Sequence, residues 1–102
     1  MKLVEAIIKP VKLAEVRAAL RNIGIEDVME SPLICRGRQK GEAMFSRGAE
    51  CVAGFVEKVK LEILAADDAV GKIIEVIGTI ARTERTDDCR IFILPFVEAC
   101  LT

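Results

Sequence analysis

The feature that most constrains the fold is an internal repeat. Each half of the chain runs from an apolar strand through a helix with one apolar face to a second apolar segment. The helical stripe starts at Leu13 in the first half and at Val70 in the second. Apolar residues three or four positions apart lie on one side of an α-helix. The order βαβ–loop–βαβ predicts an α+β, ferredoxin-like sandwich, in which a four-stranded antiparallel sheet carries two helices on one face.

Local signals set the expected boundaries of these elements. The strands are predicted over residues 2–9, 25–35, 56–64 and 90–97. Gly24 is placed to end the first helix, and Asp67 is a suitable N-cap for the second. Pro32 indicates that the second strand is irregular or lies at a sheet edge. The whole chain, residues 1–102, fits a single domain.

A sandwich of this kind covers only one face of its sheet, and the sequence makes the other face apolar too. In the first strand, Leu3 and Ile7 alternate with an equally apolar set of side chains. In the last strand, Phe92 and Leu94 do the same. A large exposed apolar surface usually marks a contact site. We therefore expect the uncovered face to be buried against further copies of the chain in a homo-oligomer.

Composition excludes several function classes. The chain has no His, so it lacks an imidazole acid or base and the usual partner of a Ser or Cys nucleophile, and we expect no enzymatic activity. A net charge of −1 gives no electrostatic basis for binding nucleic acid. No apolar segment is long enough for membrane insertion. The four cysteines include no CxxC pair, and the chain start lacks a signal-peptide pattern, which favours the cytoplasm.

The segment between the halves, residues 36–54, is predicted to be a loop and is called the long loop below. It contains four of the seven glycines, and a connection of this length is usually functional. Its first six residues, RGRQKG, suit either an anion-binding site or a solvated turn. Residues 83–90, TERTDDCR, precede the last strand. Their charged side chains either cap a loop or line a binding site, or the segment is a solvated connector. Lys58 and Glu62, on one strand face, form either a solvated pair or the wall of a cleft.

Several segments together resemble the PII signal-transduction family. They are KPVKLAEVRAALRNIGI at residues 9–25, GRQKG followed by RGAE in the long loop, and KVKLEI at residues 58–63 followed by an Asp pair. The similarity runs without gaps from Met1 to about Phe92. The resemblance implies a homotrimer of ferredoxin-like subunits, with nucleotide-binding clefts between neighbouring subunits. It also implies that the long loop reaches out to a partner protein.

The resemblance assigns roles to individual residues. The positions similar to nucleotide-binding ones are Ile7, Cys35, Gly37, Arg38, Glu62, Leu64, Asp88, Cys89 and Arg90. The positions expected to bind a small anion or effector are Gln39, Lys40, Gly41 and Lys58. The loop positions expected to meet a partner are Arg47, Glu50 and Cys51. No metal site is expected, except that Gln39 would bind Mg²⁺ if the ligand is Mg-ATP.

Several departures from the family pattern bear on the ligand. Cys35 replaces a usual glycine, and Cys51 replaces the tyrosine that is uridylylated in conventional members. The family's phosphate loop is rich in glycine, and the residues at its glycine positions here are Glu84, Asp87 and Cys89. Carboxylates at such positions would repel a polyphosphate. The chain also stops at Thr102, before two arginines that usually hold the outer phosphates.

These departures favour a divergent PII-like protein similar to the carboxysome-associated, bicarbonate-linked group. The leading hypothesis is a non-enzymatic sensor that binds ADP or AMP in preference to ATP, with bicarbonate as a co-ligand and no obligatory cofactor. It would regulate a transporter or a carbon-fixation component. The alternative is a conventional nitrogen/carbon sensor that binds Mg-ATP and 2-oxoglutarate without uridylylation. A phosphohydrolase is disfavoured because no nucleophile is paired with a base, and a thiol switch is a further hypothesis.

Overall fold

The computed structural model describes residues 1–36, 51–52, 55–82 and 89–96, and for residues 51–52 it describes only the backbone. Its strands are β1 (Lys2–Ile8), β2 (Met29–Arg36), β3 (Cys51–Val52), β4 (Phe55–Ala65) and β5 (Cys89–Pro95). Its helices are α1 (Leu13–Asn22) and α2 (Val70–Ala81). Each helix follows a short 3-10 turn, at Pro10–Lys12 and at Asp67–Ala69.

The four long strands form one antiparallel sheet in the order β2–β4–β1–β5. The two-residue strand β3 pairs with the start of β4. The two strands of each βαβ unit, β1 with β2 and β4 with β5, are therefore separated by a strand of the other unit, as a ferredoxin-like fold requires. The predicted α+β architecture is confirmed. β2 lies at a sheet edge, which is where Pro32 is tolerated without the loss of a ladder hydrogen bond.

Both helices pack on one face of the sheet through a common apolar core. Alternate side chains of β1 and β4 point to this face, because successive residues of a strand point to opposite sides. Side chains three or four positions apart on α1 and α2 meet them. The completely or almost completely buried residues of this core include Val4, Ala6, Ile8, Val16, Leu20, Leu61, Ile63, Ile73, Ile77 and Ala81.

The end of α1 depends on a glycine, as predicted. Gly24 has a φ of +87°, a left-handed conformation that costs little without a Cβ atom. The N–H of Ile25 donates to the carbonyl of Leu20 at 2.9 Å, and the N–H of Gly24 donates to the carbonyl of Arg21 at 3.0 Å. These bonds satisfy two carbonyls of the last helical turn, and they reverse the chain toward β2.

The start of the second helical segment differs from the prediction. No side-chain hydrogen bond caps either the 3-10 turn or α2, so the N-cap role predicted for Asp67 is wrong. The Asp67 carboxylate instead lies 2.8 Å from the amino group of Met1 and 3.3 Å from Nζ of Lys2. Two cations outcompete the backbone N–H groups for this carboxylate. Asp67 therefore ties the start of β1 to the turn that precedes α2.

Each predicted strand differs from the observed one at a boundary, most of all at the start of β2, and the structure adds the short strand β3. β2 begins at Met29 rather than at Ile25, because the N–H groups of Ile25 and Val28 donate to the nearby carbonyls of Leu20 and Glu26 instead of to a neighbouring strand. Ile25 and Val28 still pack against the core, which explains their apolar character. The pairing of β3 with β4 lies inside the segment that was predicted to be wholly a loop.

An ion pair holds the edge strand β2 to α1. Nε and Nη2 of Arg17 each donate to one carboxylate oxygen of Glu30, both at 2.9 Å. Two hydrogen bonds fix the orientation of the guanidinium relative to the carboxylate as well as the distance between them. The hydrogen bond from Arg17 lowers the pKa of the Glu30 carboxyl below its usual value.

Candidate functional site

The candidate site lies on the sheet face that points away from the helices, called the open face below. On β4, Val59, Leu61 and Ile63 are buried toward the helices, so the residues between them point to the open face. The same alternation holds on β1. The register then places six of the predicted ligand-binding residues on this one face: Ile7, Cys35, Lys58, Glu62, Leu64 and Arg90.

The register gives the open face a row of two cations around an apolar residue. Ile7 of β1 is directly opposite Lys60 of β4 and Arg90 of β5. Lys60 reaches along its own strand, and its Nζ lies 3.9 Å from a carboxylate oxygen of Glu62. Such a surface combines an apolar contact for a flat ring with positive charge on both sides. This combination is suited to an anionic ligand that carries an aromatic group.

The neighbouring row holds two carboxylates. Glu5 of β1 is directly opposite Glu62 of β4, with Phe92 on the far side of Glu5 and Met29 on the far side of Glu62. Like charges that are directly opposite in a sheet are unfavourable, so this pair depends on nearby cations such as Lys60. Sequence reasoning singled out Glu62 but missed Glu5. Only the strand register could have identified it.

A third row of the open face is entirely apolar. Leu3 of β1 is directly opposite Leu64 of β4 and Leu94 of β5. Leu94 keeps 40% of its surface exposed, and Phe92, next to this row, keeps 46%. Large apolar side chains at this level of exposure, gathered on one face, are characteristic of a contact surface.

The structure does not bring every predicted residue to this face. Cys89 lies on the helix side of β5, half-buried against the core.

Cys35 and Cys89 lie at opposite edges of the sheet, since Cys35 lies on β2 and Cys89 on β5. Three strand spacings of about 4.8 Å separate these edges, whereas a disulfide requires Cα atoms within about 7 Å. A disulfide between Cys35 and Cys89 of the same chain is therefore incompatible with the fold, and neither takes part in a disulfide.

The remaining predicted residues lie outside the part of the chain that the structure describes. For Cys51 only the backbone is described, as part of β3. The predicted site residues outside the described ranges are Gly37, Arg38, Gln39, Lys40, Gly41, Arg47, Glu50 and Asp88.

Within residues 1–36, 55–82 and 89–96, no group of three or more His, Cys, Asp or Glu residues is arranged to hold a metal ion. In the part of the chain that the structure describes, no helix is both long and apolar enough to cross a membrane.

The fold is that of a small α+β protein whose open face combines apolar and charged side chains. The family model described as "Nitrogen regulatory protein P-II" matches residues 1–101. This chain therefore belongs to the nitrogen regulatory protein P-II family, whose members are regulatory signal-transduction proteins.

Relatives at more than 40% identity support this assignment. A nitrogen regulatory protein P-II of Bradyrhizobium diazoefficiens is 44% identical over 99 residues, which cover 97% of this chain and 88% of the relative. One of Azospirillum brasilense is 45% identical over 98 residues, covering 96% and 88%. Nitrogen regulatory protein GlnK of Escherichia coli K12 is 43% identical over 93 residues, covering 91% and 83%. These names refer to nitrogen regulation, and none of them refers to carboxysomes or bicarbonate.

Proposed function

We propose that this chain is a non-enzymatic nitrogen/carbon sensor that acts in the cytoplasm as a homotrimer. Adenine nucleotide binds in the clefts between subunits, and the long loop carries the signal to a partner protein. The observation that supports this proposal most strongly is the composition of the open face. Residues with predicted ligand roles, such as Ile7, Glu62 and Arg90, share that face with the apolar row of Leu3, Leu64 and Leu94.

Subunit association and ligand binding are linked in this proposal. A neighbouring subunit that covers the apolar row removes Leu94 and Phe92 from water, which favours assembly. The open face also carries the cations Lys60 and Arg90 on either side of Ile7, and an anionic ligand complements their charge. A cleft between subunits, with a nucleotide anion in it, would cover the apolar row and complement these cations.

The names of the relatives favour the nitrogen/carbon sensor, which is the alternative stated from the sequence, and for such a sensor the family resemblance implies Mg-ATP together with 2-oxoglutarate as the ligands. Nitrogen regulation is what the printed names of the relatives share. In this reading Lys58 meets a carboxylate of the oxoacid. Gln39 and the phosphates hold the Mg²⁺ ion, as the family resemblance implies. Uridylylation plays no part, because Cys51 stands at the position of the modified tyrosine.

Isothermal titration calorimetry tests the choice of ligand. We expect 2-oxoglutarate to bind only when Mg-ATP is present, and to tighten the binding of Mg-ATP in return, since coupling between two ligands is reciprocal. Binding of Mg-ATP with no response to 2-oxoglutarate would contradict the nitrogen/carbon assignment. Sedimentation equilibrium, run separately, tests whether the chain is a trimer.

A second candidate keeps ADP or AMP as the nucleotide and bicarbonate as the co-ligand. One specific observation favours it: Glu84 and Asp87 occupy positions that are glycine in the family's phosphate loop. Their negative charge opposes the most highly charged nucleotide first. In the same calorimetry experiment, this candidate predicts that ADP and AMP bind more tightly than ATP, with bicarbonate strengthening their binding. The partner would then be a transporter or a carbon-fixation component.

A further inference from the structure

One carboxylate of the open face has no cation partner within the described residues. Glu5 is half-buried on β1, directly opposite Glu62 of β4. In this part of the chain the Glu62 carboxylate has the Lys60 ammonium group beside it, but no ion pair or hydrogen bond joins a cation to the Glu5 carboxylate. Glu5 therefore faces a like charge across the strands without a cation bound to it, which is unfavourable.

Subunit association would make this arrangement more costly. Phe92 of β5 is directly opposite Glu5 and keeps 46% of its surface exposed. A neighbouring subunit that covers the Phe92 ring also covers the carboxylate beside it. An ionised carboxylate that is removed from water requires a cation. We therefore expect the neighbouring subunit to bring a cation to Glu5.

Lys60 is suited to supply that cation. An ammonium group has three N–H donors, and within the described residues the Lys60 ammonium group makes one ion pair, to Glu62 at 3.9 Å. Its side chain is 29% exposed, so the ammonium group is accessible to a further carboxylate. Lys58 and Arg90, the other cations named on this face, have predicted ligand roles, and Lys60 has none.

We propose that Lys60 of each subunit bridges Glu62 of its own chain and Glu5 of the neighbouring subunit. The open face then associates with a second copy of the chain through charge as well as through its apolar row. In a ring of three subunits the contact is head-to-tail, so every Glu5 has one Lys60 partner. This inference rests on the homotrimer of the proposed function, and it names a polar contact that holds the subunits together.

Charge reversal tests this bridge by sedimentation equilibrium. Glu5→Lys and Lys60→Glu each place like charges across the interface, and we expect each to lower the association constant at least about ten-fold. Within one chain, Glu5→Lys places a cation opposite Glu62, which favours the sheet. The Glu5→Lys subunit is therefore expected to stay folded, which circular dichroism checks.

A mixture of the two variants distinguishes a contact between chains from a contact within one chain. In a mixed ring of three, two of the three interfaces place opposite charges together, whereas a ring of either variant alone has no such interface. We expect the mixture to associate more tightly than either variant alone, and the Glu5→Lys/Lys60→Glu double variant to associate as the wild type does. A mixture that associates no better than its components would overturn the proposal, even if the double variant recovers, because the two residues would then act only within one chain.

Glu57→Lys is the matched control, because Glu57 is an exposed residue of β4 on the helix side and the substitution changes the net charge equally. It should leave association unchanged. If the wild type sediments as a monomer, the homotrimer of the proposed function fails, and the bridge fails with it. If the wild type assembles and Glu5→Lys assembles equally well, only the bridge is wrong, and water or a small cation compensates the charge of Glu5.

Discussion

The two faces of the sheet carry different kinds of side chain, although the same strands supply both faces. On the helix side, Val4, Leu61 and Ile63 are almost completely removed from water and pack within one apolar core. On the open face, apolar, acidic and basic side chains alternate in rows, and Glu5 is directly opposite Glu62. The helix side is explained by the stability of one subunit. The proposed function explains the open face by a further subunit and a ligand.

The largest effect is expected from the helix side. Leu61→Ala removes a side chain that is 1% exposed, and a buried Leu→Ala substitution costs about 2–5 kcal/mol in the free energy of unfolding. Leu64→Ala on the same strand is the matched control, because Leu64 points to the open face. Urea unfolding should show a large loss for Leu61→Ala at every protein concentration. The loss for Leu64→Ala should depend on concentration, because it acts through assembly. Equal, concentration-independent losses would contradict the contrast between the faces.

The next effect concerns assembly. Leu94→Arg places a charge in the apolar row of the open face, and we expect the oligomer to dissociate into folded monomers, because an unpaired charge is costly to bury. Val11→Arg is the control, since Val11 is 76% exposed on the 3-10 turn before α1. It should leave the mass unchanged. Sedimentation equilibrium measures both variants. A Leu94→Arg protein with the wild-type mass would show that the open face is not the subunit interface.

A smaller effect is expected at the ion pair that holds β2 to α1. Because Arg17 lowers the pKa of Glu30, the carboxylate stabilises the fold at pH values above its unfolded pKa, and this contribution is lost as the pH falls through the lower folded pKa. Glu30→Gln should therefore lower the unfolding midpoint at neutral pH by less than the core substitution does. The difference from wild type should vanish in acid. A difference that stays constant with pH would show that the ion pair is not its cause.

The smallest effect is expected at Asp67. The hydrogen bond from the Met1 amino group, and then that from Lys2, lower the pKa of this exposed carboxyl. As for Glu30, the Asp67 carboxylate stabilises the fold at pH values above its unfolded pKa, and this contribution is lost as the pH falls through its lower folded pKa. Asp67→Asn should make the thermal unfolding midpoint depend slightly less on pH. Adding 1 M salt should reduce the difference in midpoint between Asp67→Asn and the wild type, because exposed ion pairs are screened. A difference insensitive to both pH and salt would contradict this account.

The sequence predicted the helix side of the fold better than the open face. Helical spacing in α1 and α2 is a local pattern, and the faces that it predicted to be apolar pack against the core. The pairing of Glu5 with Glu62 depends on the register between strands that are far apart in sequence, so no local pattern could indicate it. Asp67 has the composition of an N-cap, but its partners come from the distant start of β1. The short strand β3 pairs too few residues to leave a periodic pattern.

The most direct test of the central claim is to titrate Mg-ATP into the Leu94→Arg protein and into the wild type. Leu94 lies in the apolar row, and none of the residues with a predicted nucleotide role is altered by this substitution. If the open face forms the nucleotide cleft only when subunits associate, the wild type binds Mg-ATP and the folded monomer does not. Binding to the monomer with wild-type affinity would contradict the account, because a single subunit would then contain the complete site.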